Sequence, residues 1–155
     1  MIAALAAALD YLRQGGEGNL VAGRESLIAG AELCAQMTRA AVAALGLRLF
    51  APTSPATALT AVVPPAALDS SKLVAGLREQ FGAVVANGQG EMKGKLFRIA
   101  HIGYYDYLDT IGVIGALEHV LGASGAPVEL GAGLRAAQQA YASAAEALQP
   151  AAARA

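Results

Sequence analysis

Gly88-Gln89-Gly90-Glu91-Met92-Lys93-Gly94-Lys95-Leu96-Phe97-Arg98-Ile99-Ala100-His101-Ile102-Gly103 runs a glycine-rich loop straight into a strand. The glycines mark Asn87 to Lys95 as a turn region. Leu96 to Ala100 alternates with period 2, so Phe97 and Ile99 share one sheet face and Arg98 takes the other. An anion-cradling loop of the P-loop kind needs glycine where Gln89 stands and Ser or Thr where Leu96 stands. It also needs a following helix, whose N-terminus would hold the anion. This loop feeds a strand, so it reads as a β-turn region.

Working outward, the strand is flanked by helices on both sides. Upstream, Asp69-Ser70-Ser71 caps a helix with Leu73, Leu77 and Phe81 spaced four apart. Val84-Val85-Ala86 reads as a strand. Before that helix, Leu47 to Phe50 and Thr57 to Val63 read as two strands closed by prolines. A long helix precedes them, with Leu20, Leu27, Ala31, Cys34, Ala41 and Leu45 on one stripe and Gly46 at its end. Gly15, Gly16 and Gly18 separate it from a first helix carrying Ile2, Leu5, Leu9 and Leu12 on one face. Downstream, Asp106 caps a helix with Ile111, Ile114, Leu117 and Leu121 facing inward. Gly122 to Gly133 is a loop. A last amphipathic helix carries Leu134, Ala137, Tyr141 and Leu148, before Pro150 and an alanine-rich tail. The order predicts an α+β fold: a small, mostly antiparallel sheet of about four strands covered by helices. No internal repeat interrupts it.

The 155 residues suit one domain. Apolar residues make up 55% and charged ones only 15%, with a mean hydropathy of +0.46. Alanine accounts for much of this. A membrane span needs roughly 18 unbroken apolar residues. Glu32 interrupts one candidate run, and Glu118 and His119 interrupt the other. The surplus apolar surface is therefore expected to face another protein surface, either a missing domain or a dimer mate. Eleven basic residues against twelve acidic ones give a net charge of -1. The basic residues are scattered, so no nucleic-acid footprint is read. The single cysteine, Cys34, sits at a helical core position, which fits a reduced, cytoplasmic setting. No capping residue or basic leader precedes the first helix. The expectation is a chain that starts inside a helix once preceded by something else.

Few residues invite a chemical reading. Lys72, after Ser70-Ser71, falls in the first turn of its helix and off the apolar face, where nothing desolvates an amine for Schiff-base work. Lys93 and Lys95 lie in the glycine loop. His101 and His119 have no partners at metal-ligand spacing, so no metal site is expected. His119 reads as a partly exposed helix residue. His101 ends the strand and reads first as a loop histidine, second as a border of a site. Asp106 and Asp109 read as a helix cap and its third-position partner. Arg98, mid-strand between two apolar residues, reads equally as a surface salt-bridge partner or as a planar fork gripping a substrate carboxylate.

The stretch from Gly88 to Gly103 resembles the C-terminal small domain of class V (fold-type I) pyridoxal-phosphate-dependent aminotransferases. These are the alanine–glyoxylate and serine–pyruvate aminotransferases and the related soluble hydrogenase subunit. The likeness continues through Asp106, Asp109 and Ala116-Leu117-Glu118. Upstream it takes in Ala44-Leu45-Gly46-Leu47 and Leu77-Arg78-Glu79-Gln80-Phe81. It covers most of residues 1–121, and 122–155 would be a linker, C-terminal helix and tail of the same domain. Ala100 stands where many members have glycine.

The resemblance implies a homodimeric parent enzyme that moves an amino group between a small amino acid and a 2-oxo acid. In that parent a large N-terminal domain holds pyridoxal 5'-phosphate. Arg98 matches the arginine that grips the substrate α-carboxylate, and Asn87, Gly88, Gln89, Gly90 and His101 would edge the site. No position matches the Schiff-base lysine or the aspartate facing the pyridine nitrogen. The chain by itself is expected to be inactive and to bind no cofactor covalently. A non-catalytic binding or oligomerisation module, or another class V activity such as a lyase or desulfurase, are the alternatives.

Overall fold

A computed structural model describes residues 2–148 in backbone and side chains through residue 144. The inward placement of Leu148, the stop at Pro150 and the alanine-rich tail fall outside the described residues. Helix α1 spans Ile2–Gly15 and α2 spans Leu20–Ala44. The Asn19 side chain caps α2 by accepting from the Val21 amide at 2.9 Å. After α2 the chain turns at Gly46, whose φ of +69° suits a residue without a Cβ, and the Leu47 amide reaches back to the Val42 carbonyl at 2.9 Å.

Strands β1 (Arg48–Leu49) and β2 (Leu59–Val63) follow, then helix α3 (Ser70–Phe81) and strands β3 (Ala86–Asn87) and β4 (Phe97–Ala100). Helices α4 (Tyr107–Ala123) and α5 (Ala132–Leu148) complete the described chain. The sheet has four strands in the order β1-β2-β4-β3, and every pairing is antiparallel. The α+β architecture matches the sequence expectation, including both aspartate caps. Asp69 accepts from the Ser71 amide at 2.7 Å. Asp106 accepts from the Leu108 and Asp109 amides, while Asp109 accepts from the Asp106 amide, which closes a reciprocal capping box.

The core forms on the sheet face that carries Val62, Phe97 and Ile99. Leu73 and Leu77 of α3, Leu117, Val120 and Leu121 of α4, and Val42 of α2 close over it. A second cluster joins Met37 and Ala41 of α2 to Ile114 of α4 and Ala137 of α5. The other sheet face carries Arg48, Val63, Ala61, Arg98 and Ala86, all exposed or half-buried.

The packing corrects the readings of Phe81 and of the third strand, and it leaves the apolar face of α1 uncovered. Phe81 does not follow Leu73 and Leu77 inward. It lies at the helix end, 47% exposed, with its ring 5.9 Å from the equally exposed ring of His119. The apolar face of α1 and the first turns of α2 do not enter the core: Ile2, Leu5, Leu9, Leu20 and Leu27 are all exposed. Strand β3 begins only at Ala86, and Val84 is open to solvent. Helix α1 meets α2 by one close crossing. A side chain on Gly23 would collide with the Leu12 carbonyl, and one on Gly16 with the Asn19 carbonyl and the Gly23 amide.

Candidate functional site

The site is built around Arg98. Its neighbours directly across the ladder are Ala61 in β2 and Ala86 in β3, so its stem crosses a sheet face made of small residues. The side chain is half-buried. Nη2 donates to the backbone carbonyl of Asn87 at 3.0 Å, and the buried Nε has no hydrogen-bond partner. Among the described residues the ion pairs are Glu32–Arg39 at 3.7 Å and Glu129–Arg135 at 3.3 Å, so no carboxylate of the described chain reaches Arg98. The salt-bridge reading of this arginine therefore has no support. What remains is a planar cationic fork, anchored through one N–H, on an open sheet face.

The glycine loop is held rigidly beside it. Asn87 accepts from the Ser70 hydroxyl at 2.7 Å, donates to the Ser71 hydroxyl at 2.9 Å and accepts from the Gly88 amide at 2.9 Å. These bonds tie β3 to the first turn of α3. The Ser70 amide donates to the Gly94 carbonyl at 3.0 Å, and Gly94 itself sits at φ +78° against the Asp69 carboxylate. Gly88 is tightly enclosed, since any Cβ would collide with the Met92 carbonyl. Gln89 and Gly90 are exposed, and a short 3-10 turn runs from Gly90 to Met92. Asn87 thus meets Arg98 through its main-chain carbonyl, while its side chain lies on the Phe97 side of the sheet, committed to α3.

His101 is not with them. It continues the inward alternation of Phe97 and Ile99, so its ring lies on the opposite side of the sheet from Arg98, and it is only 1% exposed. Nε2 shares a hydrogen with the Thr60 hydroxyl at 2.8 Å, while Nδ1 has no partner. Burial, with the Arg39 guanidinium nearby, pushes its pKa down from 6.5 to about 4, and Glu32 pulls weakly the other way. His101 thus lies just past the strand, as its place in the sequence suggested, but as a buried histidine that is neutral at pH 7.

Sequence reasoning also missed a buried carboxylate. Glu118, read as an interruption in an apolar run, is 2% exposed and caps the next helix from a distance. It accepts from the Gly131 amide at 2.7 Å and the Leu134 amide at 3.0 Å, satisfying donors at the start of α5. A buried acid on the inner face of one helix, followed by a glycine-opened helix, is the signal that could have exposed it. Lys72, Lys93 and Lys95 are all solvent-exposed. Among the described residues no group of three or more His, Cys, Asp or Glu could hold a metal ion, and no helix is long and apolar enough to cross a membrane.

No family model matches the chain. Individual proteins do. It is 33% identical over 124 residues to the L-aspartate–glyoxylate aminotransferase of Paracoccus denitrificans, covering 79% of this chain and 31% of that protein. It is 36% identical over 86 residues to the small subunit of a Synechococcus soluble hydrogenase, covering 56% of this chain and 22% of the relative. Among solved structures, the pyridoxamine–pyruvate aminotransferase of Mesorhizobium loti superposes with a TM-score of 0.72 at 31% identity. That match covers 82% of this chain and 35% of the enzyme. The chain thus spans between about a fifth and just over a third of the relatives named here. It is a homologue of the class V aminotransferases and the soluble hydrogenase subunits, and it carries the fold of one domain of such an aminotransferase.

Proposed function

We propose that the chain is the C-terminal small domain of a pyridoxal-phosphate-dependent aminotransferase that exchanges an amino group between a small amino acid and a 2-oxo acid. In this reading 1–121 form the domain proper and 122–155 its linker, last helix and tail. The observation that carries it is Arg98: a half-buried guanidinium with no acid partner among the described residues, fixed at one N–H by the Asn87 carbonyl. A carboxylate meeting the remaining N–H groups gains charge-assisted hydrogen bonds in a fixed plane, which orients the carbon that bears its amino or oxo group. Asn87, Gly88, Gln89 and Gly90 form the edge of that site. His101, facing away, acts only through the sheet.

The cofactor belongs to a large domain in this proposal. This chain's residues do not fit it alone, because a Schiff-base amine has to be desolvated and all three lysines are in water. When bound in the parent, the cofactor supplies the electron sink; the chain supplies the substrate's orientation. The parent would be a cytoplasmic homodimer.

The test has two parts. The reading frame ahead of Met1 encodes a Schiff-base lysine region, and borohydride in the presence of pyridoxal phosphate leaves the lysines of the 155-residue chain unmodified. In the longer polypeptide, Arg98→Lys keeps the charge and loses the fork. Charged hydrogen bonds contribute about 1.5–3 kcal/mol, so kcat/KM with glyoxylate or pyruvate as acceptor falls roughly 10- to 100-fold. The melting temperature stays nearly unchanged. Near-normal kinetics with a large stability loss would remove Arg98 from the site, and no lysine upstream would remove the transaminase reading.

A further inference from the structure

Asn87 is followed by Gly88, the pairing most prone to expel ammonia from an asparagine side chain, because glycine puts no Cβ in the way of the ring that forms. The ring closes when the Gly88 nitrogen attacks Cγ of Asn87 over the face of its amide. The native bonds oppose this. The Gly88 N–H is shared between the Leu96 carbonyl and Oδ1 of Asn87, at 2.9 Å each, so it points at oxygens and not over the carbon. Ser70 and Ser71 hold the two ends of the side-chain amide at 2.7 and 2.9 Å, which fixes its plane. Gly88 cannot swing either, being enclosed against the Met92 carbonyl. Yet this lock sits on a two-residue strand at the sheet edge, between the open Val84 and the exposed Gln89. Such an edge opens far more readily than the core.

We propose that Asn87–Gly88 is a self-modifying site whose product occupies Arg98. When β3 opens, the Gly88 nitrogen bonds to Cγ, the Cγ–Nδ2 bond breaks, and ammonia leaves with the proton of the Gly88 amide. Water then opens the cyclic imide. Where it adds to the main-chain carbonyl carbon of Asn87, the bond from that carbon to the Gly88 nitrogen breaks. The nitrogen takes a proton from the water, and the chain runs on through Cγ as isoaspartate. The former main-chain carbonyl is now a free carboxylate. It is the group that Nη2 of Arg98 already holds at 3.0 Å, and it stays tied to Ala86, the ladder partner of Arg98. No acid of the described residues competes for that guanidinium, so the new carboxylate gains a charge-assisted pair. The modification stands apart from the transaminase reading; that it excludes substrate rests on the carboxylate-gripping role proposed for Arg98.

The test ages the 155-residue chain in mildly alkaline buffer, folded and in urea. Peptide mapping with fragmentation that separates isoaspartate from aspartate reads residue 87. Asn19, followed by the bulky Leu20, is the internal reference. In urea Asn87 should convert well ahead of Asn19, mostly to isoaspartate. In the folded chain it should convert roughly a hundredfold more slowly, because the bonds to Ser70, Ser71 and Leu96 must open first, each worth about fivefold. Ser71→Ala removes one of them and should speed the folded reaction about fivefold while leaving the rate in urea and the fate of Asn19 unchanged. The buried, unpaired Nε–H of Arg98 reports the second half of the proposal: its NMR signal should shift in the isoaspartyl chain. Asn87→Asp carries its carboxylate on the Phe97 side with the main-chain carbonyl intact, and should leave that signal in place. Equal rates folded and unfolded, no isoaspartate at residue 87, or an Arg98 signal that stays put in the isoaspartyl chain would each overturn the proposal. If Ser71→Ala does not fold, the folded and urea-unfolded forms of the unaltered chain still decide it. None of these readouts uses transamination, so they hold or fail independently of that reading.

Discussion

Acidification should destabilise this chain in a pH range set by one residue. The His101 pKa is about 4 in the folded protein against 6.5 for an ordinary histidine. The unfolded chain therefore takes up a proton that the native chain refuses. Stability is whole above about pH 6.5 and is lost progressively as pH falls from there through about 4. At about pH 5 the unfolded state is almost fully protonated at this site and the native state hardly at all, a loss of about 2 kcal/mol. By about pH 4 the loss approaches 3 kcal/mol, since each pH unit between the two pKa values is worth about 1.4 kcal/mol. That is a large share of the stability of a domain this size.

Urea unfolding at steps between about pH 7.5 and 5, on the parent chain and on His101→Phe, isolates this effect. The upper window matters because Glu32, whose carboxyl the Thr57 hydroxyl holds below its usual range, titrates lower down. His101→Phe starts less stable, because Thr60 loses its partner, but its curve should be flat where the parent's falls by about 2 kcal/mol. Identical slopes in the two proteins, or a His101 ring that titrates near 6.5 by NMR in the folded chain, would refute the reasoning.

Other expectations follow from the same geometry. Glu118→Ala strips two amides of α5 from a charged acceptor and should cost about 3 kcal/mol, with Glu118→Gln losing less; thermal unfolding of both reads this. Gly88→Ala drives a methyl into the Met92 carbonyl and should cost 1–3 kcal/mol or more in urea unfolding, whereas Gly90→Ala meets no atoms and pays only for its positive φ. The exposed apolar face of α1 and early α2 should make the chain self-associate or bind a hydrophobic dye. Sedimentation showing a strict monomer with no dye uptake at high concentration contradicts that.

Much of this fold was legible because its signals are local. Asp69 and Asp106 mark helix starts through bonds that span two or three residues, and the alternation around Arg98 places Phe97 and Ile99 inward with no knowledge of the partner strands. The failures share the opposite cause. The stripe Ile2, Leu5, Leu9 is a sound helical pattern, yet periodicity says which face is apolar and not whether anything covers it. Phe81 keeps its spacing from Leu77, but α3 ends before the core reaches it. His101 lies just past the end of β4 yet keeps the alternation of Ile99, and its burial depends on Thr60 of a strand 41 residues away, which no local pattern contains. Glu118 acts on amides 13 and 16 residues away, a relation no local pattern contains.

The sheet ends in strands of only two residues, β1 on one side and β3 on the other. Each edge thus offers a foreign strand very few unpaired amides and carbonyls. Arg48 in β1 adds a charge to one rim, while β3 runs at once into the knotted turn of Gly88. Short, interrupted rims of this kind oppose the strand-by-strand growth that leads to fibrils. A chain with so much apolar surface on its helices therefore keeps its β-edges closed to polymerisation, and any association it undergoes is steered to the helical side.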